Sequence, residues 1–518
     1  MGTFRGIGKS FWEGCGLGII LLVALALRLQ GIRSESAYWD EVVSLQHLNA
    51  PGVIAFIRQV RADDPPMTPL YFVVQYAWAG VFGPDLVTVR MLSVLFGLTS
   101  LVLVHLLGRR MFGEPAGLLA AALMALSVPH IYYSQELRPY ALVLVLTALS
   151  AYSLLEGLAK RRAVWWWVNV AADICLMWTH LFAVLFLVAQ GIFLGAVLWR
   201  RGRIRCFVLW AAAQAPAAIA WTLWFRSMDF VALDEASYLR RFLVCSPRLM
   251  VGLFMHLCGD RAQSLKPFLS ASGLSAADMM ALFIGVLIVG AAGSVLWNRP
   301  AEDRAAARTN LLFLVAWMTV PALLLYIYSV AWYPSFGFRY VYHSAVPVAV
   351  LAGAAVSMVR IRWLQAVIAV TLLSIYSVNL GHYPHPWRMN WKSVARDLQQ
   401  NAGADDPVLV YWKSQQAPLL YASGFQPDRV GIIRDQHGLV AKCAELAAQG
   451  RTVWLVVRPD ALDAVGWPRY EELFKRCSLT YETKTFGSYQ PVLQRFRVSS
   501  PPPAPARSLG ELRAAQTP

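Results

Sequence analysis

The chain is poor in charge. Asp, Glu, Lys and Arg make up 15% of its 518 residues, where soluble domains carry about a quarter, and that scarcity excludes an ordinary water-soluble globule. Cysteine is scarce too. The seven residues (Cys15, Cys175, Cys206, Cys245, Cys258, Cys443 and Cys477) show no metal-ligand spacing. Cys15, Cys175 and Cys206 fall in or beside apolar runs, where cysteine serves as a small apolar residue. Cys245/Cys258 and Cys443/Cys477 are pairs that an oxidising compartment would allow to bridge. There is no internal repeat, and there are no paired broken helices of the kind transporters carry. No small-residue cleavage site follows the first apolar stretch, which ends Leu27-Arg28-Leu29-Gln30-Gly31. Arg5 and Lys9 therefore precede a retained first span rather than a removed signal peptide.

What the chain has in plenty is apolar surface: 57% hydrophobic residues and 20 tryptophans. The apolar residues form runs of roughly 16–22, enough to cross a hydrocarbon layer of about 30 Å at about 1.5 Å per residue. The runs stop near His382. Residues 381–498 have the alternation of a small α/β domain, with strand-like 408–412 and 452–457 and helix-like 393–400 and 439–449. Residues 499–518 are a Pro-rich tail of disordered composition.

The net charge of +16 sits in short patches between apolar runs, which is the mark of membrane orientation rather than of nucleic-acid binding. The patches are Arg109–Arg110, Lys160–Arg162, Arg200–Arg205, Arg299/Arg304/Arg308 and Arg360/Arg362. If all are cytoplasmic, an even number of crossings separates them. Residues 163–199 then divide into two spans meeting at Thr179–His180. Further pairs follow near 115–133 and 139–157, near 207–226 and 277–297 around a long outer loop, and near 309–331 and 341–359. With spans at 14–33, 86–107 and 363–380 the expectation is about eleven transmembrane helices. The N-terminus is inside and the C-terminal domain outside. Residues 69–82 are short and amphipathic, and are expected to lie on the outer surface.

This topology gathers costly polar residues at the outer face. Asp40 and Glu41 follow the first span, and Asp63 and Asp64 come later in that loop. Tyr133, Arg138 and Tyr140 flank the second outer turn, His180 the third, and Arg339 and Tyr340 a later one. A carboxylate takes the proton from an attacking acceptor. Arginines hold a phosphate and stabilise its charge as it leaves, while aromatic rings stack on a sugar or sit at headgroup depth.

The motifs YWDE, PPMTPLYF, VRMLSVLFG, LLGRRMFGEPAGLLAAAL, SVPHIYYSQELRPYAL, WTHLFAVLFLVAQ and FRYVYHSAVPVAVLAG run in order over about residues 20–355. In them the chain resembles the GT-C superfamily of membrane glycosyltransferases, in the family 39-like group of protein O-mannosyltransferases and the lipid A aminoarabinose transferase. The resemblance implies inverting transfer from a polyprenyl-phosphate sugar to a lipid, glycan or protein acceptor at the outer face of a bacterial plasma membrane. It makes Asp40 catalytic, with Glu41 beside it in positioning or acceptor binding, and places Arg138, His180, Arg339 and Tyr340 around the donor. Tyr133, Tyr140 and Asp64 join that donor set. No dissociable cofactor is required, and a divalent metal is left open. One departure is that the family's His before Pro-Pro is not present here: Asp64 precedes Pro65-Pro66, and Thr68 precedes Pro69-Leu70-Tyr71.

Plainer readings stand beside these. Asp40 and Glu41 also suit a helix N-terminus, and Asp63 and Asp64 suit caps of the helix that follows. Arg28 and Arg90 read as snorkelling, Asp173 as a structural hydrogen-bonding group in the bundle, and Trp165–Trp167 as an interfacial anchor. The rival functions are a transporter or flippase of a lipid-linked glycan, and a non-catalytic assembly protein.

Overall fold

The structure, a computed structural model, describes residues 2–64, 67–160, 162–227, 248–259, 283–288, 290, 301–332, 335–381, 389–410, 413–432, 436–457, 480–486 and 493–499. It divides into two compact units: residues 1–33 with 44–384, and residues 34–43 with 385–518.

The first unit is a bundle of long apolar helices. Seven among the described residues are long and apolar enough to cross a membrane: Leu86–Phe112, Tyr140–Lys160, Leu181–Arg200, Ile204–Arg226, Ala305–Ala331, Phe338–Ser357 and Arg362–Gly381. The shorter apolar helix Gly14–Leu29 and the helix Ala163–Thr179 occupy two more of the expected spans. Residues 69–82 form a single 14-residue helix, too short for a full crossing. The expected span near 277–297, the loop before it, Cys245, Cys477 and the tail from residue 500 fall wholly or mostly outside the described residues. Ile204–Arg226 and Arg362–Gly381 turn apolar side chains outward, with Leu209 70%, Leu223 64% and Val370 62% exposed. Such surface is stable only against lipid or another apolar partner. The chain is a multi-pass membrane protein.

Small residues set the closest helix approaches. A Cβ on Gly108 would lie 2.8 Å from the Gly117 Cα, and one on Gly353 would run into the Ala116 carbonyl. This is the close backbone packing that membrane bundles use where water supplies no hydrophobic drive.

The expected straight span near 115–133 is broken. Glu114–Leu126 and Val128–Ser134 meet at a 69° bend. The cause is Pro129, which has no N–H for the Ala125 carbonyl and clashes with it in a continuous helix. The orphaned Ala125 carbonyl instead accepts from Arg28 Nη1 at 3.2 Å, and Val128 N–H donates to the Gly259 carbonyl at 3.2 Å. Arg28 also meets His130 Nδ1 at 2.7 Å and donates to Ser134 Oγ at 3.3 Å. Arg28 and Arg90 are both fully buried, and Arg90 donates to the Ile32 carbonyl at 3.0 Å. The snorkelling reading of both is corrected: they tie backbone carbonyls inside the bundle.

The second unit carries a five-stranded sheet in the order β2-β1-β3-β5-β4, formed by β1 (Val408–Val410), β2 (Val430–Ile432), β3 (Val453–Val457), β4 (Thr480–Phe486) and β5 (Leu493–Ser499). β1 pairs parallel with β2 and β3, whereas β5 pairs antiparallel with β3 and β4. Helix Trp391–Asn401 covers it, and Trp391, Val394 and Leu398 join Val408, Val410, Trp454 and Val456 in one core. Tyr38 packs on that core, and Lys392 N–H donates to Ser36 Oγ at 3.1 Å. These contacts explain why residues 34–43 group with the C-terminal residues.

Candidate active site

Seven of the nine residues singled out in sequence lie in the first unit, where turns at the same end of successive helices hold them. Tyr133 lies in the last turn of the short helix Val128–Ser134, and Arg138 sits in the turn that leads to Tyr140, the first residue of Tyr140–Lys160. His180 ends helix Ala163–Thr179 in extended conformation (φ −156°). Arg339 and Tyr340 belong to a 3-10 turn, Phe338–Ser344, that starts the next helix.

These turns converge on a stack of rings. The centroids of Tyr133 and Tyr140 are 5.2 Å apart, those of Tyr140 and His180 5.5 Å, and those of His180 and Tyr340 5.6 Å. The Arg339 guanidinium lies 5.1 Å from the Tyr340 ring, with Nη2 donating to the Tyr340 hydroxyl at 3.2 Å. Arg138 Nη1 pairs with Asp64 Oδ2 at 2.9 Å. Burial lowers the pKa of His180, and the positive charges of Arg138 and Arg339, with His343 behind them, lower it further. The imidazole is therefore neutral at physiological pH, and both guanidiniums lie close enough to act on it. A cluster of two cations, a neutral imidazole and phenols can hold an anion and a sugar ring together.

Asp40 and Glu41 lie in the second unit, in the first turn of helix Trp39–Leu45. Asp40 is partly exposed. Glu41 is fully buried, and its Oε2 accepts the Tyr38 N–H at 3.0 Å, which stabilises the helix start. Asp63 and Asp64 do not cap the helix Pro69–Phe82, whose N-cap is Thr68. They end the preceding helix, where Asp63 accepts from Gln46 at 2.9 Å and meets His47 Nε2 at 2.9 Å.

Two members of the cluster had no sequence signal of their own. His256 Nε2 lies 3.2 Å from the Tyr133 hydroxyl, and the Tyr342 ring is 4.8 Å from that of Tyr133. Tyr342 was visible only as part of the FRYVY string, and His256 lies in the long loop between the spans near 207–226 and 277–297, where no motif marks it. Among the described residues no three His, Cys, Asp or Glu side chains gather to hold a metal ion.

The backbone belongs to a known class: the chain has the fold of GT-C membrane glycosyltransferases. The Archaeoglobus fulgidus oligosaccharyltransferase AglB, solved with an inhibitory peptide and a dolichol-phosphate, gives a TM-score of 0.51 at 11% identity over 94% of this chain and 74% of that one. The same organism's oligosaccharyltransferase in complex with Zn and sulfate gives 0.52 at 11% identity, over 91% and 72%. ArnT from Cupriavidus metallidurans aligns over 96% of this chain and all of its own at 13% identity, with a TM-score of 0.49. More particularly, residues 63–224 match the family model of dolichyl-phosphate-mannose-protein mannosyltransferases. That stretch contains Asp64, Tyr133, Arg138, Tyr140 and His180. Among curated protein sequences, none matches the chain.

Proposed function

We propose that the protein is an inverting glycosyltransferase that moves one sugar from a polyprenyl-phosphate donor to an acceptor on the outer face of a bacterial plasma membrane. The observation that carries this reading is the convergence of Arg138 and Arg339, from turns far apart in sequence, on one His–Tyr cluster at the ends of membrane helices. A lipid-linked sugar presents its phosphate at that depth. The matching family's name specifies a dolichyl-phosphate sugar donor, and AglB holds a dolichol-phosphate; both support a donor of this chemistry.

In the reaction the acceptor O–H or N–H attacks the anomeric carbon, the bond from that carbon to the phosphate oxygen breaks, and the polyprenyl phosphate leaves with one more negative charge. Arg138 and Arg339 bind that phosphate, Asp64 orients Arg138, and Tyr133, Tyr140, His180 and Tyr340 face the sugar. Asp40 takes the acceptor proton, the role that the family resemblance implies for the first acid after the first span; its partial exposure is compatible with it. Glu41 holds the helix start that positions Asp40.

The test is transfer in reconstituted vesicles with a radiolabelled polyprenyl-phosphate sugar, the sugar and acceptor being identified first by mass spectrometry of envelope lipids, glycans and proteins from cells with and without the gene. Asp40→Asn should lower transfer at least ~100-fold, the size of a general-base contribution, with expression and donor binding retained. Transfer within a few-fold of wild type would remove Asp40 from the mechanism. Identical envelopes with and without the gene would overturn the function itself.

A further inference from the structure

A separate feature lies at the other end of the same helices. Trp166, Trp167, Leu198, Leu209 and Trp210 wall a cavity of about 290 Å³, with Arg203 among its lining residues; ligand pockets begin near ~300 Å³. The walls are fixed. Trp210 Nε1 donates to Asn169 Oδ1 at 2.7 Å, and Trp166 packs where a Cβ on Gly157 would lie 3.1 Å from its ring. Gly202, at φ +64°, turns the chain so that Arg203 N–H donates to the Leu198 carbonyl at 2.8 Å. That turn sets Arg203 at the start of the 23-residue helix Ile204–Arg226.

Along residues 157–213, which build the opening, the exposed charges described are of one sign. Arg162, Arg200, Arg201, Arg203 and Arg205 are all exposed. Between Gly157 and Ala213 the only acid is Asp173, which is buried among Ser150 and Gln190. Glu156, just before that stretch, is held by Arg110 and Lys160. The walls open outward, since Trp167 is 68% and Leu209 70% exposed.

We propose that this cavity is a binding site for an anionic phospholipid, with one acyl chain between the tryptophans and the headgroup phosphate on Arg203 and its neighbouring arginines. Tryptophan and arginine together at a helix end mark headgroup depth, and clustered arginines attract anionic lipid specifically. A zwitterionic lipid fills the walls equally well but offers no net charge to five guanidiniums. The site is independent of the donor cluster and of the reaction proposed for it.

Native mass spectrometry of the full-length protein, delipidated in detergent and titrated with phosphatidylglycerol or phosphatidylcholine of the same chains, tests this. Wild type should retain phosphatidylglycerol at least several-fold more tightly. Arg203→Ala and Arg205→Ala should each remove about 5-fold of that preference and leave phosphatidylcholine binding unchanged. Ala213→Trp, which fills the cavity, should lower retention of both lipids. Each variant is compared at an unchanged unfolding temperature, and Ala213→Trp probes the walls even if an arginine variant fails to fold. Equal retention of the two lipids by wild type, undiminished binding in Ala213→Trp, or a second copy of the chain seated on this face in place of lipid would overturn the proposal.

Discussion

Two buried polar clusters share the helices Tyr140–Lys160 and Ala163–Thr179, and they are built on opposite plans. Mid-bundle, Asp173 Oδ2 accepts from Gln190 at 2.7 Å, Ser150 Oγ lies 2.5 Å from Asp173 Oδ1, and Asn169 links Ser150 to Trp210. The partners of Asp173 there, Ser150, Gln190 and Gln214, are all neutral. At the helix ends, Arg138 and Arg339 stand around His180 and the tyrosines together with two carboxylates, Asp64 paired to Arg138 and the buried Glu136 beside Tyr133 and Tyr140. The first cluster is closed upon itself, as a group in an apolar medium must be. The second brings full charges of both signs together at the ends of the helices. Burial of polar groups alone therefore does not mark a site; the gathering of several full charges is what separates the second cluster from the first.

The comparison breaks first at the arginines. Arg138→Ala and Arg339→Ala should each lower turnover by ~10²–10³ with saturating donor, since a guanidinium aimed at the leaving phosphate oxygen interacts more with the transition state than with the intact donor. Arg→Lys at either position should fall less, because lysine keeps charge but not two parallel bonds. Wild-type turnover in both alanine variants would make the cluster structural, like its neighbour.

Asp173→Ala sharpens the contrast from the other side. It strips the acceptor from Ser150 and Gln190, at a cost of about 1–3 kcal/mol, seen as a lower unfolding temperature in detergent. Transfer per folded molecule should stay near wild type; a selective loss of turnover at unchanged stability would move Asp173 into the machinery.

The smallest effect is the pH dependence of His180. Its pKa is lowered in the folded state relative to about 6.5 when unfolded. Above about 6.5 both states hold it neutral. Below that the unfolded chain takes up a proton that the folded one refuses, so stability falls as pH drops from about 6.5 toward the folded value. Unfolding temperature measured from pH 7.5 to 5.5 should decline more steeply in wild type than in His180→Gln; equal slopes would show that the imidazole is not held neutral.

Much of this was legible in the sequence because membrane helices advertise themselves. Apolar runs bounded by arginine patches marked where helices turn and so put Tyr140, His180 and Tyr340 at helix ends; that their rings meet is a tertiary fact. The strands Val408–Val410 and Val453–Val457 were readable as apolar runs, whereas β4, exposed along Tyr481–Thr485 apart from partly buried Tyr481, carries no such pattern. The burial of Arg28 was hidden for another reason. Its partner, the Ala125 carbonyl, is released only by a proline on a different helix, and no local pattern reports a partner so distant in sequence. The grouping of residues 34–43 with the C-terminal unit is equally a matter of tertiary contact, through Tyr38 and Ser36.

The break at Pro129 has a consequence for how the protein is made. Val128 N–H donates to the carbonyl of Gly259, which also accepts from Asn379 Nδ2 at 3.2 Å. Chain order puts residue 128 in the bilayer well before residues 259 and 379 leave the ribosome. An unmet amide in hydrocarbon costs several kcal/mol, so the half-built bundle carries an unfinished helix until later segments arrive to close it. The short helix Val128–Ser134 is therefore closed only when Gly259 arrives, and the Gly259 carbonyl takes its second donor, Asn379, later still.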